Sequence, residues 1–432
     1  MSFTIDLEWP APRQDADIDV ASVRMSVHDA ILTQVYDVAA GRMRDQFRAS
    51  VTSLAFWFAD NWWRLRYEPM GNPAMVSTDW RLRHELSSGS SNELWPPIMI
   101  YGVGPRVMIA PALGKRGEEG GLRYIEPRTH SVPALEYEEG LDDFFASVQQ
   151  ACARHADAPA FATLIGQLSV ERGDPELAGW RRLEACLGYD PDLAPHAVVD
   201  ALVALEDGLG GEAVEEAAIA SPGPDAPRAL TQALAAIEAS DLEVDFAALG
   251  HLERFPDPHG LTPWQAAEDA ALRLRDMLQL PDRLDGPALG DLLRTRWDDL
   301  KAASATARNL PYGAMRETDG DKARLALQMN PQIDRRFELA RMIGDELWTR
   351  GRSFGVISRA KTDRQKYQRA FAQALLCPMV ALQRIVNLNE PTVDQIGQAA
   401  RYFDVRRNVI MTILINRGYL PHETAADWLE AA

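Results

Sequence analysis

The stretch Arg335-Arg336-Phe337-Glu338-Leu339-Ala340-Arg341-Met342-Ile343-Gly344-Asp345 decides how the second half of the chain is read. On a helix, residues at i and i+4 share one face, so two histidines at that spacing grip one metal while a glutamate beside the first activates water. Those three positions here hold Arg341, Met342 and Asp345. The stretch therefore keeps the spacing of a zinc-peptidase helix without its zinc chemistry.

The Arg-Arg-Phe start, with Leu339, Ala340 and Gly344, resembles the ImmA/IrrE-like family, whose corresponding helix runs close to R-F-x-L-A-H-E-x-G-H. A second segment, Arg369-Ala370-Phe371-Ala372-Gln373-Ala374-Leu375-Leu376-Cys377-Pro378, resembles that family's A-N-x-F-A-A-E-L-L-M-P. Phe371, Ala372, Leu375, Leu376 and Pro378 match, and Arg369 stands where asparagine is usual. Just upstream the family supplies a third, carboxylate ligand; this chain has Gln365-Lys366-Tyr367-Gln368 there, with Asp363 the nearest acid. A strand-like Leu325–Asn330 precedes the first segment, as in the family.

The resemblance spans roughly residues 260–420. It implies a mainly helical, zincin-like C-terminal domain that is catalytically inactive, with no zinc or other cofactor. Arg341, Met342, Asp345 and Gln365 would line a pseudo-active cleft that holds a peptide or protein partner without cutting it. In place of the metal, an Arg341–Asp345 ion pair is expected, contributing about 0.2–0.5 kcal/mol if exposed. Members of this family act in stress responses, mobile-element control or phage defence, often beside transcriptional regulators, so a regulatory or sensing role is the expectation.

At 432 residues the chain exceeds the roughly 100–200 residues of one domain, so two or three domains are expected. The boundaries read as a Trp-rich α+β domain over 1–135, a helical section over 136–220, a linker and lead-in over 221–260, and the pseudo-peptidase domain over 261–432. Ser221-Pro222-Gly223-Pro224-Asp225-Ala226-Pro227 is the clearest linker, because proline ends a helix. Apolar runs such as Val409 to Ile415 fall short of the ~20 residues of a membrane span. Met1 to Glu8 lacks a basic start and an apolar core, so no secretion signal is expected and a cytoplasmic location follows. Cys152, Cys186 and Cys377 are odd in number and scattered, which suits reduced, structural thiols.

The net charge of −18 hides an asymmetry. Residues 331–420 carry 15 Lys+Arg against 8 Asp+Glu, or +7, leaving 30 against 55, or −25, elsewhere. An acidic body repels nucleic acid, so any such contact belongs near the C-terminus.

In the first 135 residues, short β-like runs (Phe3–Leu7, Ser22–Val27, Ile98–Val103, Arg106–Ile109) accompany one apolar helical segment over Val51–Tyr67. Trp57, Trp62, Trp63, Trp80 and Trp95 cluster there. They form either an aromatic ligand or partner surface served by Arg64, Arg66, Arg81 and Arg83, or a core whose arginines pair with local acids. Glu136, Glu138, Glu139, Asp142 and Asp143 mark a solvated helix entrance. Thr262-Pro263-Trp264-Gln265 is a capping box that opens a helix running to about Leu278.

Neither His84-Glu85 nor His422-Glu423 has a second histidine four residues on, so both pairs read as surface or structural. Phosphate-loop, dinucleotide-binding and nucleophile-elbow motifs are missing from the sequence. Residues 393–417 have the spacing of a helix-turn-helix, with Ala400 at the crossing and Asp404 in the favoured glycine position. Arg406, Arg407 and Asn408 open its second helix where a DNA reader places contacts, and Arg401 and Arg417 could touch phosphates. DNA contact and a purely scaffolding helix pair both remain open, and a protein partner is expected either way.

Overall fold

A computed structural model describes the chain apart from residues 1–2, 11–18, 72–75, 91–92, 114–120, 126–127, 251, 253–260, 303–309, 329–331, 349–353 and 422–432. The His422-Glu423 pair lies outside the described residues. The architecture is mixed α+β, about 52% helical with several small sheets. No described helix is long and apolar enough to cross a membrane. The chain divides into two compact units.

The first unit takes in Met1–Leu202 with the short pieces Pro222–Pro224 and Ala360–Thr362. Alternating apolar residues build the long strand Val20–Val27, which pairs antiparallel with Phe3–Glu8 on one side and with Ala30–Ile31 and Phe47–Ser50 on the other. A second antiparallel sheet orders His130–Pro133, Arg106–Pro111 and Ile98–Gly102. A third orders Arg42–Arg44, Val35–Asp37 and Leu122–Tyr124. The helix expected over 51–67 is two helices, Val51–Asp60 and Trp62–Tyr67, broken at Asn61, whose side-chain amide donates to the Trp57 carbonyl at 2.7 Å. Helices Ala134–Ala151, Ala158–Gly173 and Pro175–Cys186 complete the apolar core of this unit.

The second unit takes in Val203–Ser221, Asp225–Arg359 and Asp363–Ala432. The boundary therefore falls within helix His196–Leu209 rather than at 220. The proline-rich run expected to be a linker is a tight turn between helices Gly211–Ala220 and Ala226–Glu238, with Pro227 in the first helical turn, where its missing N–H costs nothing. Residues 221–260 also supply strand Glu243–Asp245 to the sheet.

That sheet is antiparallel in the order Glu243–Asp245, Lys322–Ala326, Gly313–Asp319, Phe354–Ile357, so the last strand is an edge. Helix Pro263–Met277 starts at the expected capping box, where Gln265 Oε1 accepts the Thr262 N–H at 3.2 Å. It packs with helix Gln332–Glu346 against helix Asp363–Leu376, and the three share one core. Gly344 allows this crossing, because a Cβ there would sit 2.9 Å from the Phe371 side chain.

The Arg-Arg start of helix Gln332–Glu346 has a structural task. Arg335 Nη1 donates to the Leu300 carbonyl at 3.0 Å, at the end of helix Trp297–Ala302. Arg336 is fully buried, donates to the Phe403 carbonyl at 3.2 Å and pairs with the Asp404 carboxylate at 3.0 Å. Asp404 joins helices Val393–Phe403 and Arg407–Asn416 at φ +53°, the left-handed conformation that lets an aspartate take the usual glycine place. Buried carbonyls need donors, and these two guanidiniums supply them from one helix start.

Candidate functional site

Arg341, Asp345 and Gln365 of the expected cleft join one buried hydrogen-bond network, whereas Met342 belongs to the apolar core. Gln365 is fully buried, Asp345 is 2% exposed and Arg341 9%. Arg341 and Asp345 do not pair with one another. Asp345 is gripped by Arg364, Nε to Oδ1 at 2.6 Å and Nη2 to Oδ2 at 2.7 Å. A planar two-point fork outcompetes a long side chain reaching down its own helix. Glycine at 355 makes room for the carboxylate, since a Cβ there would lie 2.4 Å from Asp345 Oδ2.

Arg341 points its Nη2 at three oxygens instead: the Ser358 carbonyl at 2.7 Å, Gln365 Oε1 at 2.6 Å and Gln368 Oε1 at 3.0 Å. Gln368 Nε2 closes the circuit on Asp345 Oδ1 at 2.7 Å and on the Val356 carbonyl at 3.0 Å. Gln365 accepts the Ser358 N–H at 3.0 Å and donates to the Val356 carbonyl at 2.8 Å and to Glu216 Oε2 at 3.0 Å. An N–H and a C=O two residues apart are what a strand edge offers a neighbouring strand. A glutamine carboxamide occupies that place.

Burial pushes the Arg341 guanidinium down to about 9, helped by the like charge of Arg369, and leaves it cationic at neutral pH. Burial also works against the charge on Arg364, but the Asp345 carboxylate more than compensates and holds it above its ordinary value. Arg341 Nε and Arg364 Nη1 are buried without a partner. The sequence reading missed Arg364, Gln368 and Glu216 as members of this cluster. Arg364 and Gln368 were recoverable, being i and i+4 on the helix face that also carries Gln365. Glu216 was not, because 149 residues separate it from Gln365.

A metal would need other donors. Among the described residues no three His, Cys, Asp or Glu side chains gather into a ligand set. Cys152, Cys186 and Cys377 are each buried and form no disulfide.

The helix-turn-helix residues fall where the spacing places them, with Arg406 as the N-cap of the second helix. Arg401, Arg406, Arg407, Asn408 and Arg417 are all exposed. Arg406 is tied to Asp334 and Arg417 to Glu268. Arg401 and Arg407 pair with no carboxylate among the described residues, and both guanidiniums come within 3.6 Å of where a Gly397 Cβ would be.

The tryptophans of the first unit close a core; Trp62, Trp63 and Trp80 are buried and do not form an exposed aromatic surface. Arg64 pairs with Glu68, Asp79 (2.9 Å) and Asp190 (3.1 Å), Arg66 with Glu138 (2.6 Å), Arg81 with Glu85 (2.8 Å) and Arg83 with Asp190 (2.6 Å). The cation over the Trp62 ring is Arg172, at 4.7 Å. His84 and Glu85, expected at the surface or in a structural role, are fully buried. Trp80 stacks on His84 at 4.1 Å, and the imidazole links the Ile100 carbonyl (2.7 Å) to Glu68 (2.9 Å).

No family model, curated protein or solved structure matches the chain.

Glu68 supplies a test of the first unit. Burial works to raise its pKa, but hydrogen bonds and charge from His84 and Arg64 outweigh this and hold it below the usual 4.5. A depressed carboxylate contributes stability that is complete above about pH 4.5 and is lost as the pH falls through the folded value. Urea unfolding followed by tryptophan fluorescence should therefore show the midpoint of this unit dropping below that pH. Glu68→Gln should cost about 3–5 kcal/mol at neutral pH and flatten the acid slope; an unchanged slope would reassign it to other carboxylates.

Proposed function

We propose that the chain is a non-catalytic regulatory or sensing protein that binds a protein partner or peptide through a frame of the ImmA/IrrE-like kind. The observation that carries this reading is the closed network of Arg341, Asp345, Arg364, Gln365 and Gln368 at the positions where such a frame holds zinc and activates water. Arginine supplies only donors, and glutamine amides neither ligate zinc well nor activate water. The order of elements supports the frame: a hairpin, helix Gln332–Glu346, edge strand Phe354–Ile357 and helix Asp363–Leu376, with the last helix facing the i and i+4 positions of the first. A zincin-like organisation, a cytoplasmic setting and a role in stress response or in defence against phage and mobile elements belong to the same proposal.

Elemental analysis of the purified chain tests it. Zinc well below one per chain, and no chelator-sensitive cleavage of candidate regulators, is the expected result. Stoichiometric zinc that disappears on Asp345→Ala would instead establish a metallopeptidase with a rebuilt site.

A second reading, a DNA-binding regulator acting through residues 393–417, is favoured by the convergence of Arg401 and Arg407 on one exposed patch. A mobility shift that weakens steeply with salt should be abolished by Arg401→Ala with Arg407→Ala. Arg406→Ala should weaken it far less, since Asp334 already holds that side chain. Wild-type protein that shifts no DNA at low salt would end this reading.

A further inference from the structure

Helix Gly211–Ala220 packs against strand Phe354–Ile357, the edge of the four-stranded sheet. An open edge is a pairing hazard, and covering it is the usual remedy. This cover also sends one carboxylate inward, Glu216, while Glu212 stays exposed at the start of the helix. Glu216 is 5% exposed and accepts from Gln365 at 3.0 Å, while Glu212 accepts from Trp348 Nε1 at 2.7 Å.

Glu216 is a counter-charge for Arg341, Arg364 and Arg369 together. Asp345 and Glu338 also act on Arg341, and Asp345 and Glu212 on Arg364. Any group that replaces Glu216 must therefore bring a negative charge into a nearly dry site, because an unmatched buried charge is costly.

The helix is entered and left through backbone that turns sharply. Gly210 stands at φ +84°, ψ 139°, a conformation almost restricted to glycine, between Gly208 and Gly211. At the far end, Ser221-Pro222-Gly223-Pro224 makes a turn with Gly223 at φ +85°. Such flanks let a short helix move as a piece while the core it covers stays packed.

We propose that helix Gly211–Ala220 is a removable strap, and that the strand edge and arginine cluster beneath it form a docking site for an acidic, extended peptide segment of a partner. The incoming carboxylate takes the place of Glu216 against Arg341, Arg364 and Arg369. The incoming backbone takes over the Val356 carbonyl and Ser358 N–H that Gln365 engages in the closed state. Gln365 and Glu216 are thus the internal stand-ins for the partner. This inference rests on the non-catalytic, peptide-binding reading of the same site.

The test uses the full chain and a fluorescein-labelled peptide of residues 211–220 as the probe. By hydrogen exchange, amides of 211–220 should exchange about tenfold or more faster than those of 363–376. Glu212→Gln with Glu216→Gln should speed them further and expose the Val356–Ser358 amides; Trp348→Phe, which removes the Nε1–H that Glu212 accepts, should act in the same direction. The loosened variants should bind the peptide about tenfold tighter than wild type. A peptide with glutamine at both glutamate positions should not bind.

Exchange of 211–220 in step with 363–376, or peptide binding that is equal in wild type and variants or missing from all, overturns the strap. Either result in a zinc-free, non-cleaving chain removes the strap alone, whereas zinc and cleavage remove the broader reading.

Discussion

The second unit depends on a fork of two hydrogen bonds between Arg364 and Asp345 in a site that water does not reach. A carboxylate buried so completely must be matched in charge and in hydrogen bonds, and removing either partner leaves the other stranded at about 3–5 kcal/mol. Everything nearby is arranged to meet that demand. Gly355 makes space for the carboxylate, Gln368 bridges it to Arg341, and Gln365 ties the bridge to the strand edge. Two helices and a strand are fixed in register by this cluster.

This arrangement differs from what a metal centre requires. A metal centre needs an open coordination position and a path for substrate. Here a glutamine amide fills the peptide-like place on the strand, and a glutamate from helix Gly211–Ala220 lies against it. The paired arginines at 335 and 336 serve the frame in a different way, by holding carbonyls at the ends of other helices.

What the sequence made legible was local. The capping box at Thr262, the helix spacing across 332–346, the two helices of 393–417 and the +7 charge of the region depend on residues a few positions apart. The errors arose where partners come from afar or where one residue type serves two ends. Asp345 was matched to the nearest arginine along its helix, but a better-shaped donor arrives from the next helix. The Pro-Gly run at 221–227 was read as a linker because it cannot be helical, yet a tight turn between packed helices needs the same residues. Five tryptophans close together fitted either a surface or a core; their area is worth most when buried, and acids such as Glu138 and Asp190, distant in sequence, neutralise the arginines beside them.

A double-mutant cycle on Asp345 and Arg364 measures most directly whether this closed ion pair is the structural centre of the second unit. Asp345→Leu and Arg364→Met alone should each destabilise the second unit by about 3–5 kcal/mol in urea unfolding, because each strands a buried charge. The double variant should recover most of that loss, giving a coupling energy of about 2 kcal/mol or more. Additive losses, or single variants as stable as wild type, would contradict a buried pair at the centre of this fold.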